Sequence, residues 1–185
     1  EKNDKLNWVY RNILLEGCDF LKQVESNGVP FDRERLEMAQ GIMQKDIDAA
    51  IERLYEFPEV SQFEKAKGSN FNPNSTLQLR SLLYDYIGLT PTGKKTGTGA
   101  DSTDAEVLGE LGRLHEVPQL ILEIRQKNKI KTTYLDKIIP NLDRDSRLRT
   151  GFNLHGTTSG RLSSSGKLNM QQLPRDNPTV KGCIK

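Results

Sequence analysis

Apolar residues recur at helical spacing in five successive stretches of the chain, and then the pattern breaks. Residues 6–26 carry Leu14, Leu15, Cys18, Leu21 and Val24 at that spacing, and Gly28 suits the C-terminal cap. Asp32 is a fitting N-cap for a long second helix with Leu36, Met43, Ile47 and Ile51 facing inward, and Pro58 ends it. Residues 59–70, with the charged Glu64-Lys65-Ala66-Lys67 patch, read as a loop. Asn74 or Ser75 caps a third helix, with Leu77, Leu79, Leu82, Leu83 and Tyr86 inward and Gly88 as its stop. Residues 90–102 include a basic Gly/Thr-rich run without apolar anchors, the pattern of a mobile tip. Thr103 and Glu106 form a capping-box pair opening a short fourth helix. Pro118 suits the first turn of a fifth, which runs to about residue 139, with Pro140 as its stop. From Leu148 onward, Phe152, Leu154 and the following Thr and Ser residues predict short strands and turns. The pattern predicts a mainly α chain with a small β part.

Composition changes this picture little. Charged residues make up 28% and hydrophobic residues 35% of the 185, an ordinary globular balance. No apolar run approaches the roughly 18 residues of a membrane span, and no signal-peptide pattern is visible. Cys18 and Cys183 lie far apart without metal-type spacing and read as reduced thiols, so a cytoplasmic location is expected.

Charge changes the picture more. The net charge of +2 hides an asymmetry: residues 1–124 carry 14 Lys and Arg against 21 Asp and Glu, and residues 125–185 carry 13 against 4. A polyanion would meet the C-terminal third. That third contains residues 157–174, TTSGRLSSSGKLNMQQLP, which hold one arginine among small hydroxylated residues and then Asn169, Gln171 and Gln172. Small residues permit close backbone approach to a ligand, amides donate and accept, and arginine offers a planar fork. The run Phe71-Asn72-Pro73-Asn74-Ser75 sets two amides and a hydroxyl at a helix start, where free N–H groups favour an anion. Lys94 and Lys95 sit among glycines and threonines without Walker-type spacing, which suits backbone tracking rather than nucleotide binding. Arg125 and Lys129 are four apart on one helix face, where two cations repel unless an anion lies opposite; Lys131 points elsewhere.

These segments resemble family A DNA polymerases of the bacterial polymerase I type. Residues 157–174 are similar to that family's TGRLSSxxPNLQNIP signature, and FNPNSTLQL (71–79) to its FNxxSxxQL element. KKTGTGADST (94–103) resembles the thumb tip, ILEIRQKNKIKTTY (121–134) the ILEYRxLxKLKSTY helix, and NGVPFD (27–32) the turn between the first two thumb helices. The likeness covers roughly residues 20–175, in the family's order and at about its spacing. Gly166, Lys167 and Leu168 replace the family's Asp-Pro pair, Gln172 and His155 stand for Asn and Thr, and Thr76 stands where a basic residue is frequent. The departures point to a divergent branch, such as a phage-encoded one.

The resemblance implies an antiparallel helical thumb over residues 18–140 with its tip at 90–102. A connecting helix from an exonuclease-like region would occupy 1–17, and an incomplete piece of the palm sheet 141–185. It implies contacts to a primer–template DNA duplex from Asn72, Asn74, Ser75, Lys94, Lys95, Ser102, Thr103, Arg125, Lys129 and Lys131. In the C-terminal part it implies Thr157, Ser159, Arg161, Asn169, Gln171 and Gln172. Arg161 corresponds to the arginine that reaches the minor groove at the primer terminus, where acceptors lie at similar places for every correct pair. A processivity factor at the thumb fits the same likeness. The catalytic carboxylates, the Mg2+ they bind and the dNTP belong to the intact polymerase, and residues 141–185 offer only Asp143, Asp145 and Asp176 as acids. This stretch alone is expected to bind the duplex without extending it. A second reading stays open: a free-standing helical DNA-binding accessory protein, supported if the reading frame stops at Lys185 and excluded if an Asp-bearing strand follows.

Overall fold

A computed structural model describes residues 2–166, 168–173 and 177–185, the side chains of Lys2 and Gln172 apart. The chain is mainly α with a small β part. It divides into two compact units, one formed by Glu1–Gln40 with Thr132–Lys185 and the other by Gly41–Lys131.

The unit of residues 41–131 is helical. It takes in the later part of α3 (Arg33–Tyr55), then α4 (Pro58–Lys67), α5 (Thr76–Ser81) with a π-helical turn at Leu82–Tyr86, α6 (Ala105–Leu111) and α7 (Glu116–Ile130). One core joins them: Leu54 from α3, Val60 and Phe63 from α4, Leu79, Leu82 and Leu83, Leu108 and Leu111 from α6, and Leu120, Ile121 and Ile124 from α7. Phe63 packs edge-on against both Phe71 and Tyr86, at ring separations of 5.5 and 5.4 Å. Each such side chain contributes about 1.5–3 kcal/mol by leaving water, which outweighs any single cap at about 1 kcal/mol.

Three expectations for this unit are corrected, the first being Leu77, expected inward but 75% exposed. The loop expected at 59–70 is mostly α4: Val60 and Phe63 are buried one helical turn apart, and that apolar pair outweighs the charged run beside them. Pro58 opens this helix at its first turn, and α3 has already ended at Tyr55. The fourth helix is capped by Asp104 rather than Thr103, because the Asp104 carboxylate accepts from the Val107 amide at 3.0 Å. Of the two candidates for the third cap, Ser75 serves, its Oγ accepting from the Gln78 amide.

The other unit holds α1 (Lys2–Val9), a π-helical turn (Tyr10–Leu15), α2 (Glu16–Asn27) and the start of α3. It also holds the short α8 (Asp136–Ile138) and α9 (Pro178–Lys181). Strand β1 (Val29–Pro30) pairs antiparallel with β2 (Arg147–Leu148), and β3 (Gly151–Asn153) with β4 (Ser163–Ser165). The chain between α2 and α3 is a hub. Phe31 is fully buried and donates its amide to the Ser146 carbonyl at 2.9 Å. Asp32 donates to the Cys183 carbonyl at 2.8 Å, and Lys185 to Pro30 at 3.1 Å. Arg147 and Arg149 donate to the carbonyls of Asn27 and Ser26, both at 2.8 Å, and so close the end of α2. Arg149 also pairs with Asp143 and Asp145, whose carboxyl is held down at about 2, chiefly by the hydrogen bond from Arg149. The apolar stripe expected inside the first helix is largely exposed, with Leu14 at 38% and Leu15 at 44%; Leu21 alone of that stripe is buried.

Gly28 has φ 59° and ψ 179°, a backbone state that glycine alone adopts readily. A Cβ there would lie 2.8 Å from the Leu148 carbonyl oxygen. Gly28→Ala is therefore expected to destabilise the fold by about 1–3 kcal/mol. Gly41→Ala, on α3 with open space where the methyl would go, should be neutral or stabilise by roughly 0.5–1 kcal/mol. Urea unfolding midpoints of the two variants check this, and an unchanged midpoint for Gly28→Ala refutes it.

Candidate nucleic-acid interface

In the helical unit the turn before α5 is built by its own amides. Asn72 Oδ1 accepts from the Asn74 amide at 2.9 Å, and the Asn72 amide donates to Gln78 Oε1 at 2.7 Å. Buried Phe71 pins the turn to the core and donates its amide to Glu64 at 2.7 Å. Asn72 and Asn74 are exposed, and Ser75 is half-buried beneath its cap bond.

The tip folds back on itself. Lys95 and Asp101 form an antiparallel bridge, Thr96 donates to the Ala100 carbonyl at 2.8 Å, and Ser102 to the Lys94 carbonyl at 2.8 Å. Both lysines are paired within the tip. Lys95 Nζ lies 2.6 Å from Asp101, and Lys94 Nζ lies 2.8 Å from Asp104 and also binds Glu106. These hydrogen bonds raise the Lys94 ammonium above its ordinary value. The Asp104 carboxyl is lowered to about 2, first by the bond from Lys94 and then by the Val107 amide. Sequence reading named the cations and missed their partners; the alternation of Lys94, Lys95, Asp101, Asp104 and Glu106 was the available signal. Ser102 and Thr103, named as duplex contacts, are each only 6% exposed.

On α7, Arg125 and Lys129 do not act as a pair. Arg125 is half-buried: its Nε donates to the Pro73 carbonyl and its Nη1 to the Thr103 carbonyl, both at 2.9 Å, and Nη2 is enclosed without a partner. Burial lowers the pKa of its guanidinium. Lys129 is exposed one turn further on, and Lys131 is half-buried at the start of the π-helical turn Lys131–Leu135. Lys127, absent from the expected contacts, pairs with Glu123 and Asp46 at 2.8 and 3.0 Å. Thr76, Arg80, Thr96, Thr98, Asp101 and Arg125 are among the residues lining a cleft of about 430 Å3 between α5 and the tip.

In the other unit the second group of expected contacts lies on the β3–β4 hairpin. The hairpin is docked on α2, the Phe152 amide donating to Glu25 at 2.7 Å. Thr157, Ser159 and Arg161 are exposed in its connecting loop, where Thr157 Oγ1 donates to the Arg161 carbonyl at 2.6 Å. A Cβ on Gly156 would sit 2.0 Å from Ser163 Oγ, so any side chain there would make that hydroxyl turn away. Asn169 accepts from the Gln171 amide at 3.0 Å, and Gln171 Nε2 donates to the Leu162 carbonyl at 3.0 Å. Gln171 braces the hairpin and Asn169 caps the short turn that carries it; the Gln172 side chain lies outside the described residues. His115 caps α7 through Nδ1, and His155 is exposed.

Among the described residues no three His, Cys, Asp or Glu converge to hold a metal ion. No helix among them is long and apolar enough to cross a membrane.

The family model described as DNA polymerase family A matches residues 41–183. The chain is 54% identical over 184 residues to a DNA polymerase of Escherichia phage T5, covering all of the chain and 22% of that protein. It is 37% identical over 180 residues to the thermostable DNA polymerase I of Thermus aquaticus, covering 96% of the chain and 20% of that protein. The chain thus spans about a fifth of the length of these relatives. Its fold is similar to a solved structure of the POL domain of Pol1 from M. smegmatis in complex with DNA primer-template and dNTP. The TM-score is 0.70 at 28% identity, over 89% of this chain and 28% of that one.

The tip pairing has a pH signature. Because the folded Asp104 carboxyl lies below its ordinary 3.8, its contribution is complete above about pH 4 and is lost as pH falls towards 2. An NMR titration should show the Asp104 and Val107 signals moving in that window. In Asp104→Asn the Val107 signal should stay flat there; a step of unchanged size would assign the effect to another acid.

Proposed function

The chain belongs to DNA polymerase family A, and from that membership we propose that it is the duplex-gripping part of a template-directed DNA polymerase. The match to the family over residues 41–183 carries this reading, because it takes in the FNPNS turn, the tip and the Arg161 hairpin together. In this reading residues 18–140 are the thumb, 141–185 open the palm and 1–17 connect to a preceding region. The whole protein would take primer–template DNA and dNTP as substrates, as bound in the Pol1 structure of similar fold.

The side chains divide the task by what they can donate. Exposed Asn72 and Asn74 offer amide N–H groups to a backbone phosphate, and Lys129 adds a cation from α7. Lys94 and Lys95 exchange one acceptor for another on binding, carboxylate for phosphate, so their ammonium groups are never left unpaired. These contacts carry no sequence information, as a copying enzyme requires. Arg161 is exposed on a hairpin braced by Gln171, and a guanidinium held there can test the minor-groove acceptors common to all correct base pairs. Misplaced acceptors at a mismatch would lose that bond. The part of these residues is to hold, orient and test the duplex.

In the full-length protein, Lys129→Ala should weaken duplex binding equally for matched and mismatched primer ends. Arg161→Ala should slow extension from matched ends by the equivalent of about 1–3 kcal/mol and affect mismatched ends less. Single-turnover extension rates on both termini check this. Equal slowing of both by Arg161→Ala would reduce that residue to general positioning, and a protein that neither binds nor extends primer–template DNA would remove the reading altogether.

A further inference from the structure

Arg125 holds protein, where Lys94 and Lys95 face acids and Lys129 and Arg161 face solvent. Its two donated bonds end on backbone carbonyls, Pro73 in the turn before α5 and Thr103 at the foot of the tip. Those carbonyls flank the two loops on which the proposed phosphate contacts sit. We propose that Arg125 is a positioning residue, a buried guanidinium fork that fixes the FNPNS turn against the foot of the tip and so sets the spacing of the two gripping loops. The gripping role rests on the reading above; the fork itself does not.

Three observations carry this. The tip from 91 to 99 is exposed throughout, so no apolar side chain anchors it and its direction depends on its foot. That foot is built as a polar core: Ser102 and Thr103 are buried, the Tyr84 hydroxyl donates to the Ser102 carbonyl at 3.3 Å, and Arg125 takes the Thr103 carbonyl. The third observation is chemical. A lysine that leaves a carboxylate for a phosphate leaves behind an exposed anion that water solvates. Were Arg125 to leave for a phosphate, it would abandon two carbonyls, and a phosphate, itself an acceptor, cannot satisfy them. Direct phosphate binding by Arg125 is therefore disfavoured where the same step for Lys94 is not. The enclosed, unpartnered Nη2 fits a group kept for its geometry, because only a planar fork reaches both carbonyls at once.

The test uses Arg125→Ala, Arg125→Lys and Lys129→Ala in the full-length protein. The first measurement is amide hydrogen exchange without DNA at Thr96 and Ser102, whose N–H groups close the tip hairpin. Both Arg125 variants should exchange about tenfold faster there, and Lys129→Ala should match wild type. The second is duplex affinity: Arg125→Lys should lose as much as Arg125→Ala, since lysine keeps the charge and loses the fork. Unchanged tip exchange in Arg125→Lys overturns the proposal, and so does recovery of duplex affinity by lysine, which is the mark of a direct phosphate contact. If Arg125→Ala does not fold, Arg125→Lys decides alone. If the wild-type protein fails to bind the duplex, the gripping reading falls and the exchange measurement still decides the fork.

Discussion

A solvent-exposed tip holds its direction through polar contacts at its foot, and in this protein one half-buried guanidinium joins that foot to the turn before α5. Arg125 ties the Pro73 and Thr103 carbonyls together from α7, a helix fixed in turn by Leu120, Ile121 and Ile124. The packed helices thus reach the foot of the tip through two side chains, Arg125 at the Thr103 carbonyl and Tyr84 at the Ser102 carbonyl. The arrangement is costly, since a charged group is half-desolvated and one of its nitrogens stays unpaired. Its two hydrogen bonds, to the Pro73 and Thr103 carbonyls, offset part of that cost.

Charge in the helical unit is stored in pairs. Lys94, Lys95 and Lys127 each face carboxylates, which offsets the repulsion between the neighbouring tip lysines. Such exposed pairs contribute little to stability, about 0–1 kcal/mol each, and for that reason they are exchangeable. Lys129 and Arg161 stand exposed by contrast. The unit holding Arg161 adds backbone pairing to the Arg149 ion pairs. Phe31 and its neighbours bond to Ser146, Cys183 and Lys185, so segments remote in sequence are tied to one short strand. The hairpin that presents Arg161 is then aligned on α2 by Glu25.

Much of this was legible in the sequence. Helical spacing and caps located most of the helices, and the family motifs singled out the turn, the tip, the fifth helix and the hairpin as one functional set. Spacing failed where charge masked it: Val60 and Phe63 were sufficient to make α4 a helix, yet a run of Glu and Lys beside them read as a loop. It also failed at the first helix, whose regular stripe of Leu14 and Leu15 is exposed, because periodicity shows that a face exists and not what covers it.

The sequence by itself determined the family, the mainly helical class and the residue types able to meet a polyanion, since these follow from local periodicity and from motifs contiguous in the chain. Tertiary structure decided what each of those residues faces. Arg125 and Lys129 sit one helical turn apart and are equivalent as a pattern. One is turned onto two carbonyls from distant loops and the other onto solvent, and that difference arises only when the Pro73 turn and the foot of the tip are brought beside α7. The tip lysines read as free cations for the same reason. A hydrogen bond depends on distance and direction in space, which spacing along the chain does not specify.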